Sequence, residues 1–198
     1  TGPAELEGAI FYQIFPDRFY NSGTPKGELP SGRIYHQSWD EEPVDRPDDQ
    51  GKFLCNDYFG GDLEGIRQKL PYLAGLGVEV IYLNPIFEAH SNHRYNTADY
   101  RRIDPLLGTE EDFRALCADA KKLGMKVVLD GVFNHTGSDS VYFNREKRYG
   151  EHSGACNDPD SPYRDWYSWI HWPDSYESWW GFVTLPNVNE GCEAYQEF

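Results

Sequence analysis

The chain has 198 residues, of which 33 are acidic and 18 basic, for a formal charge of −15. That length suits one domain or part of a larger one. The charge argues against nucleic acid and against an anionic membrane surface as partners, because few basic groups are available to neutralise phosphates.

The first apolar run, Ala9-Ile10-Phe11-Tyr12-Gln13-Ile14-Phe15, is β-branched and aromatic and stops at Pro16, which predicts a buried strand. From Asn21 to Gly51, Gly, Pro, Asp and Ser dominate, which predicts a long irregular loop. A helix is expected from Asp62, whose side chain can cap it, with Leu63, Ile66, Leu70 and Leu73 on one face, a flaw at Pro71 and a stop at Gly77. Val78 to Leu83 reads as a second strand. A second helix is capped by Thr109, carries Glu110, Glu111 and Asp112 at its positive end, and ends at Gly124. Lys126 to Asp130 reads as a third strand. Strand, helix, strand, helix, strand implies parallel pairing in an α/β fold.

After Asp130 the regularity is lost, and residues 136–190 show no clear helix or strand. They hold Trp166, Trp169, Trp172, Trp179 and Trp180, five of the six tryptophans. Roughly half of these would form a small aromatic core, and the others could stack on sugar rings.

Cys55, Cys117, Cys156 and Cys192 lie too far apart for a short metal or redox motif, so free thiols are expected, leaning towards a reducing, cytoplasmic compartment. No run approaches the ~20 apolar residues of a membrane span. Thr1-Gly2-Pro3 has neither the basic region nor the apolar core of a signal peptide, and the missing initial Met points to processing or excision.

Parallel α/β folds gather reactive groups at the carboxyl ends of strands. Asp17-Arg18, Asn92-His93-Arg94-Tyr95-Asn96 and Asp130 to His135 all follow strands. Each has a plainer reading: a turn-closing ion pair for Asp17 and Arg18, a surface histidine for His90, turn residues for Asp130 and Asn134. A catalytic zinc held by His90, His93, His135 and Asp130 has suitable donors but no standard spacing. An acidic, aromatic-rich cleft suits a neutral polyhydroxylated ligand.

Asp130-Gly131-Val132-Phe133-Asn134-His135 resembles the first conserved segment of the alpha-amylase family of glycoside hydrolases. Tyr12 to Phe19, Phe59-Gly60-Gly61-Asp62-Leu63, Gly77 to Phe87 and Asn92 to Tyr100 stand in that family's order and spacing. Within it, Ser91-Asn92-His93, Ala98-Asp99-Tyr100 and Leu185 to Asn189 are most similar to the cyclomaltodextrinase, neopullulanase and maltogenic amylase group. The resemblance implies part of a (β/α)8 barrel with a domain B inserted after the third strand. It divides the chain into residues 1–135 of the barrel, 136–190 of domain B and 191–198 returning to the barrel.

The implied activity is cleavage of α-glucosidic bonds with retention, on starch, maltodextrin, cyclodextrin or pullulan. His93, Tyr95 and His135 would line a sugar subsite, Tyr95 by stacking and the histidines by hydrogen bonds. Asp130 would anchor the site through an arginine, Asn134 would hold the loop into domain B, and Asp17 and Arg18 would be structural. No cofactor is required; calcium is the one candidate, at Asn21, Gly60 and Asp62. Gly23, Lys26 and Gly27 stand where further ligands would be expected, and a hard divalent cation wants about six to eight oxygens.

Retaining chemistry needs two carboxylates about 5 Å apart. The family's nucleophile lies in a Gly-x-Arg-x-Asp segment, and the nearest match here, Gly65-Ile66-Arg67-Gln68-Lys69, ends in lysine. None of the catalytic carboxylates is expected before Phe198, so the chain alone is expected to be inactive. The alternative is a non-catalytic glycan-binding module on a half-amylase scaffold. A three-stranded sheet would also leave an open edge, through which a homodimer could form.

Overall fold

The computed structural model describes residues 3–26 and 32–198, apart from the side chain of Trp180. The first apolar run forms β1 (Phe11–Ile14), followed by a 3-10 turn over Pro16–Arg18; the expected burial needs correction, since only Ile14 of the strand is buried and Phe11 to Gln13 are exposed. The segment expected to be wholly irregular contributes β2 (Ile34–Tyr35), paired in parallel with β3 (Asp57–Tyr58). Two residues per strand are too few for any alternation to be visible in sequence.

The single helix expected after Asp62 is two: α1 (Leu63–Gln68) and α2 (Leu70–Gly75). The break falls at Lys69 and not at Pro71, because Pro71 sits in the first turn of α2, where its missing N–H breaks no bond. Asp62 caps α1 as expected, accepting from the Gly65 amide at 2.7 Å. Next come β4 (Val80–Leu83), β5 (Phe87–Ala89) and β6 (Thr97–Ile103), then α3 (Glu110–Lys122) and β7 (Lys126–Leu129). The side chains of Thr109 and Asp112 form a reciprocal capping box on α3. β8 (Trp169–His171), β9 (Ser175–Tyr176) and α4 (Glu193–Gln196) complete the regular structure.

β1, β4 and β7 pair in that order, all parallel, as the alternation predicts; Ile14 lies opposite Leu83, and Leu83 opposite Leu129. They belong to one of two compact units, which runs to Ile86 and includes Ile103–Asp130. Its core is aliphatic: Ile14, Leu63, Ile66, Leu73, Ile81, Leu83 and Leu116 are buried together. Arg67 joins α1 to α3 through Glu64 and Asp119.

The second unit comprises Phe87–Arg102 and Gly131–Phe198. Its core is aromatic, built on Tyr142, Phe143, Trp166 and Tyr167 with Trp169 and Tyr176 against them. The expectation of no regular structure over 136–190 needs correction, since β8 and β9 form an antiparallel hairpin with Trp169 opposite Tyr176. The pairing is short and irregular, so it left no period-2 signature. All four cysteines are unpaired, and among the described residues no helix is long and apolar enough to cross a membrane.

Candidate functional site

In the second unit, β5 and β6 are neighbours, and the chain between them carries Ser91, Asn92, His93, Arg94, Tyr95 and Asn96. Arg94 turns this loop: its φ is +61°, and its buried guanidinium donates to the Asn92 carbonyl at 2.8 Å. A left-handed arginine is sterically unfavourable, and the buried hydrogen bond helps to hold it there. The turn folds Tyr95 back on His93. The Tyr95 backbone N–H donates to His93 Nδ1 at 3.0 Å, and the two rings lie 5.8 Å apart.

That hydrogen bond fixes the chemistry of His93. Nδ1 accepts, so a neutral ring carries its proton on Nε2. Burial and then the Arg94 charge lower the His93 pKa to about 4, so the ring is neutral at pH 7. Nε2–H has no partner among the described residues, which leaves one neutral donor for a ligand.

His135 holds the other side of Tyr95. Its Nε2 lies 3.1 Å from the Tyr95 carbonyl, which can only accept, so Nε2 bears the proton. Burial lowers this pKa too, against the Tyr95 hydrogen bond, and the ring is neutral. Its Nδ1 lies 2.7 Å from Asn134 Oδ1, and with the proton on Nε2 this contact becomes a hydrogen bond when the Asn134 carboxamide is turned over to present its NH2 group. The Trp179 ring lies 5.4 Å from His135.

The three residues expected in a sugar subsite are therefore linked: His93 holds the Tyr95 amide and His135 holds its carbonyl. One detail bears on the expected roles. Both ring nitrogens of His135 already have protein partners, so a sugar hydroxyl would have to displace one, and Asn134, which is exposed, is the easier to move. Asn134 also accepts through its main-chain carbonyl from the Val188 amide at 3.0 Å, tying the segment after β7 to residues near 188.

Sequence reasoning singled out neither Tyr100 nor Trp179. The Tyr100 hydroxyl lies 2.8 Å from the carbonyls of both Val132 and His135, pinning this segment to β6. The only available signal was its place in the motif Ala98-Asp99-Tyr100. Trp179 was one of five indistinguishable tryptophans. Trp166 is in the aromatic core, Trp169 packs against it, and Trp172 donates to the Ala155 carbonyl at 2.9 Å.

The remaining residues divide between the units. His90 lies beside Tyr149 in the second unit, with ring centroids 6.4 Å apart. Asp130 directly follows β7 in the first, beside the Tyr82 hydroxyl of the neighbouring strand. Asp17 pairs with Arg18 at 2.9 Å and also accepts from the amides of Phe59 and Gly60. Gly60 has a φ of +82°, and a Cβ there would run into the Tyr35 hydroxyl, which accounts for a glycine at this position. Asn21 and Asp62 face Lys26, while Gly27 lies outside the described residues. The near-match Gly65-Ile66-Arg67-Gln68-Lys69 lies mostly in α1, with its arginine engaged by Glu64 and Asp119.

Residues 13–183 match the alpha-amylase catalytic domain family. An amylopullulanase of Thermoanaerobacterium saccharolyticum is 48% identical over 202 residues, covering 92% of this chain and 16% of its own length. The intracellular maltogenic amylase of Bacillus subtilis (strain 168) is 37% identical, covering 99% of this chain and 30% of its own. Among solved structures, the cyclic α-maltosyl-(1→6)-maltose hydrolase of Arthrobacter globiformis, in complex with cyclic α-maltosyl-(1→6)-maltose, is similar with a TM-score of 0.79. It is 35% identical, and the match covers 100% of this chain and 41% of that one. The chain spans between 11% and 31% of the length of the curated relatives it matches. On the match over residues 13–183, the chain belongs to the alpha-amylase family of glycoside hydrolases.

Proposed function

We propose that this chain is part of a retaining α-glucan-cleaving glycoside hydrolase, and that it supplies a sugar-binding subsite without the catalytic carboxylates. The observation that carries the reading is the clamp on Tyr95, whose amide and carbonyl are held by two neutral histidines. A neutral pair suits a neutral sugar, since charged imidazoles would be strongly hydrated and would favour anions. In this assignment Tyr95 offers a ring face to a glucose unit, and the His93 Nε2–H donates to a hydroxyl. His135 holds the Tyr95 backbone and meets the sugar through Nδ1 when Asn134 yields.

Asp130 keeps the anchoring role implied by the family pattern, and Asn134 holds the entry to a domain B over 136–190. The relatives' names indicate the substrate class: amylopullulanase, maltogenic amylase, and a hydrolase of a cyclic maltosyl-maltose. The substrate is accordingly an α-glucan with α-1,4 and, in part, α-1,6 bonds.

The test is an assay of the purified chain on cyclodextrin, starch and pullulan with reducing-sugar detection. No release is expected, because the family's nucleophile segment does not occur in these residues. Turnover would contradict the assignment. Saturable micromolar binding of maltoheptaose without turnover, followed by tryptophan fluorescence, would favour the glycan-binding module instead; Trp179 beside His135 makes that signal local.

A further inference from the structure

The family resemblance implies a calcium ion at the loop after the first strand, with Asn21, Gly60 and Asp62 among its ligands. The residues present do not fit the ion. Calcium requires about six to eight oxygens with free lone pairs at 2.3–2.6 Å. Here the Asp62 carboxylate is already occupied: Oδ1 accepts from the amides of Gly65 at 2.7 Å and Ser22 at 3.2 Å, and Oδ2 accepts from the Ser22 hydroxyl at 2.7 Å. Asn21 Oδ1 accepts from the Gly23 amide at 2.9 Å. Beside Gly60, the space is taken by the Tyr35 hydroxyl, to which the Asn21 side-chain NH2 donates.

Between these oxygens lies a cation that the chain itself provides. Lys26 Nζ is 2.8 Å from Asp62 Oδ2 and 3.3 Å from Asn21 Oδ1. The pair is largely withdrawn from solvent, with side chains 11% and 5% exposed. One ammonium against one carboxylate balances the local charge, whereas a divalent ion would leave it positive and would have to displace the lysine.

We infer that Lys26 is a built-in replacement for the metal, so that the loop after β1 and the N-terminus of α1 hold together without calcium. The inference does not depend on the sugar-binding reading, because it concerns Asn21, Lys26 and Asp62 alone.

Thermal unfolding of the protein in EDTA and in millimolar CaCl2 tests it, with calorimetric titration of CaCl2 alongside. The unsubstituted protein should show the same Tm in both and no saturable calcium uptake. Lys26→Met should lower Tm by on the order of 10 °C in both media, by leaving a buried carboxylate unpaired. Lys26→Asp should be destabilised in EDTA and recover in CaCl2, because it exchanges the ammonium for oxygen ligands. Calcium uptake or EDTA sensitivity in the unsubstituted protein would overturn the inference. So would a Lys26→Met variant with unchanged Tm, or a Lys26→Asp variant indifferent to calcium. If both variants fail to fold, the EDTA and calcium measurements on the unsubstituted protein still decide it.

Discussion

The two units solve the problem of burying polar chemistry in opposite ways. In the first, a histidine is buried among carboxylates: His36 bridges Glu41 at 2.8 Å and Asp57 at 3.0 Å. Burial opposes its charge, but hydrogen bonds to the Glu41 and Asp57 carboxylates outweigh it and raise its pKa. In the second, His93 and His135 lie among backbone groups and aromatic rings, with no carboxylate partner among the described residues, and burial lowers both. The buried histidine of the aliphatic unit is tied to carboxylates, while those of the aromatic unit are left as neutral donors. A neutral donor is what a sugar hydroxyl can use without competing against an ion pair.

The cores differ in the same sense, and removing their central side chains is the strongest way to break the comparison. Phe143 is fully buried, with its ring centroid 4.7 Å from those of both Tyr167 and Tyr176. Phe143→Ala should destabilise by about 3–5 kcal/mol and shift tryptophan emission to the red, since Trp169 stacks on this ring. Leu83→Ala, in the middle strand of the parallel sheet, should cost about 2–5 kcal/mol. Under native conditions it should leave the emission nearly unchanged, because the only tryptophan of the first unit is the half-exposed Trp39. Equal spectral shifts in both variants would break the distinction.

The pH dependence sharpens it. His93 titrates near 4 when folded and near 6.5 when unfolded, so the unfolded chain binds more protons between those values. Its contribution is complete above about pH 6.5 and is lost as pH falls towards 4, by about 3 kcal/mol. His36 has the opposite sign: its contribution is present below about pH 6.5 and is lost as pH rises through its raised folded value. Denaturant midpoints across pH should show the acid-side loss, and His93→Asn should flatten it. The smallest effect is expected at the cap of α3, where Thr109→Ala should cost about 0.5–2 kcal/mol without touching either histidine set.

Much of the first unit was legible in the sequence, because β1, β4, β7 and α3 follow continuous apolar runs and ordinary caps. The split at Lys69 was not, since Pro71 looked like the flaw and only tertiary context shows it inside a first turn. In the second unit, composition revealed an aromatic core but not which rings build it. The hairpin of β8 and β9 is too short for periodicity, and Trp179 differs from Trp166 only in its neighbours. His93, Tyr95 and His135 were identified through motif resemblance. Their mutual hydrogen bonds were not legible, because they depend on the left-handed turn at Arg94 and bring together residues 40 apart. Lys26 was seen as a misfit in a ligand set; its role as the partner of Asp62 needed the geometry.

The central claim is that His93 and His135 bracket Tyr95 as rings whose pKa burial lowers, while carboxylate partners raise that of His36. Side-chain nitrogen and proton NMR across pH 3.5–8 measures this directly, reading the pKa and tautomer of each ring. The account predicts His93 near 4 and His135 below its ordinary value, both with the proton on Nε2, and His36 above its ordinary value. A His93 that titrates at or above 6.5, or that carries its proton on Nδ1, would contradict it.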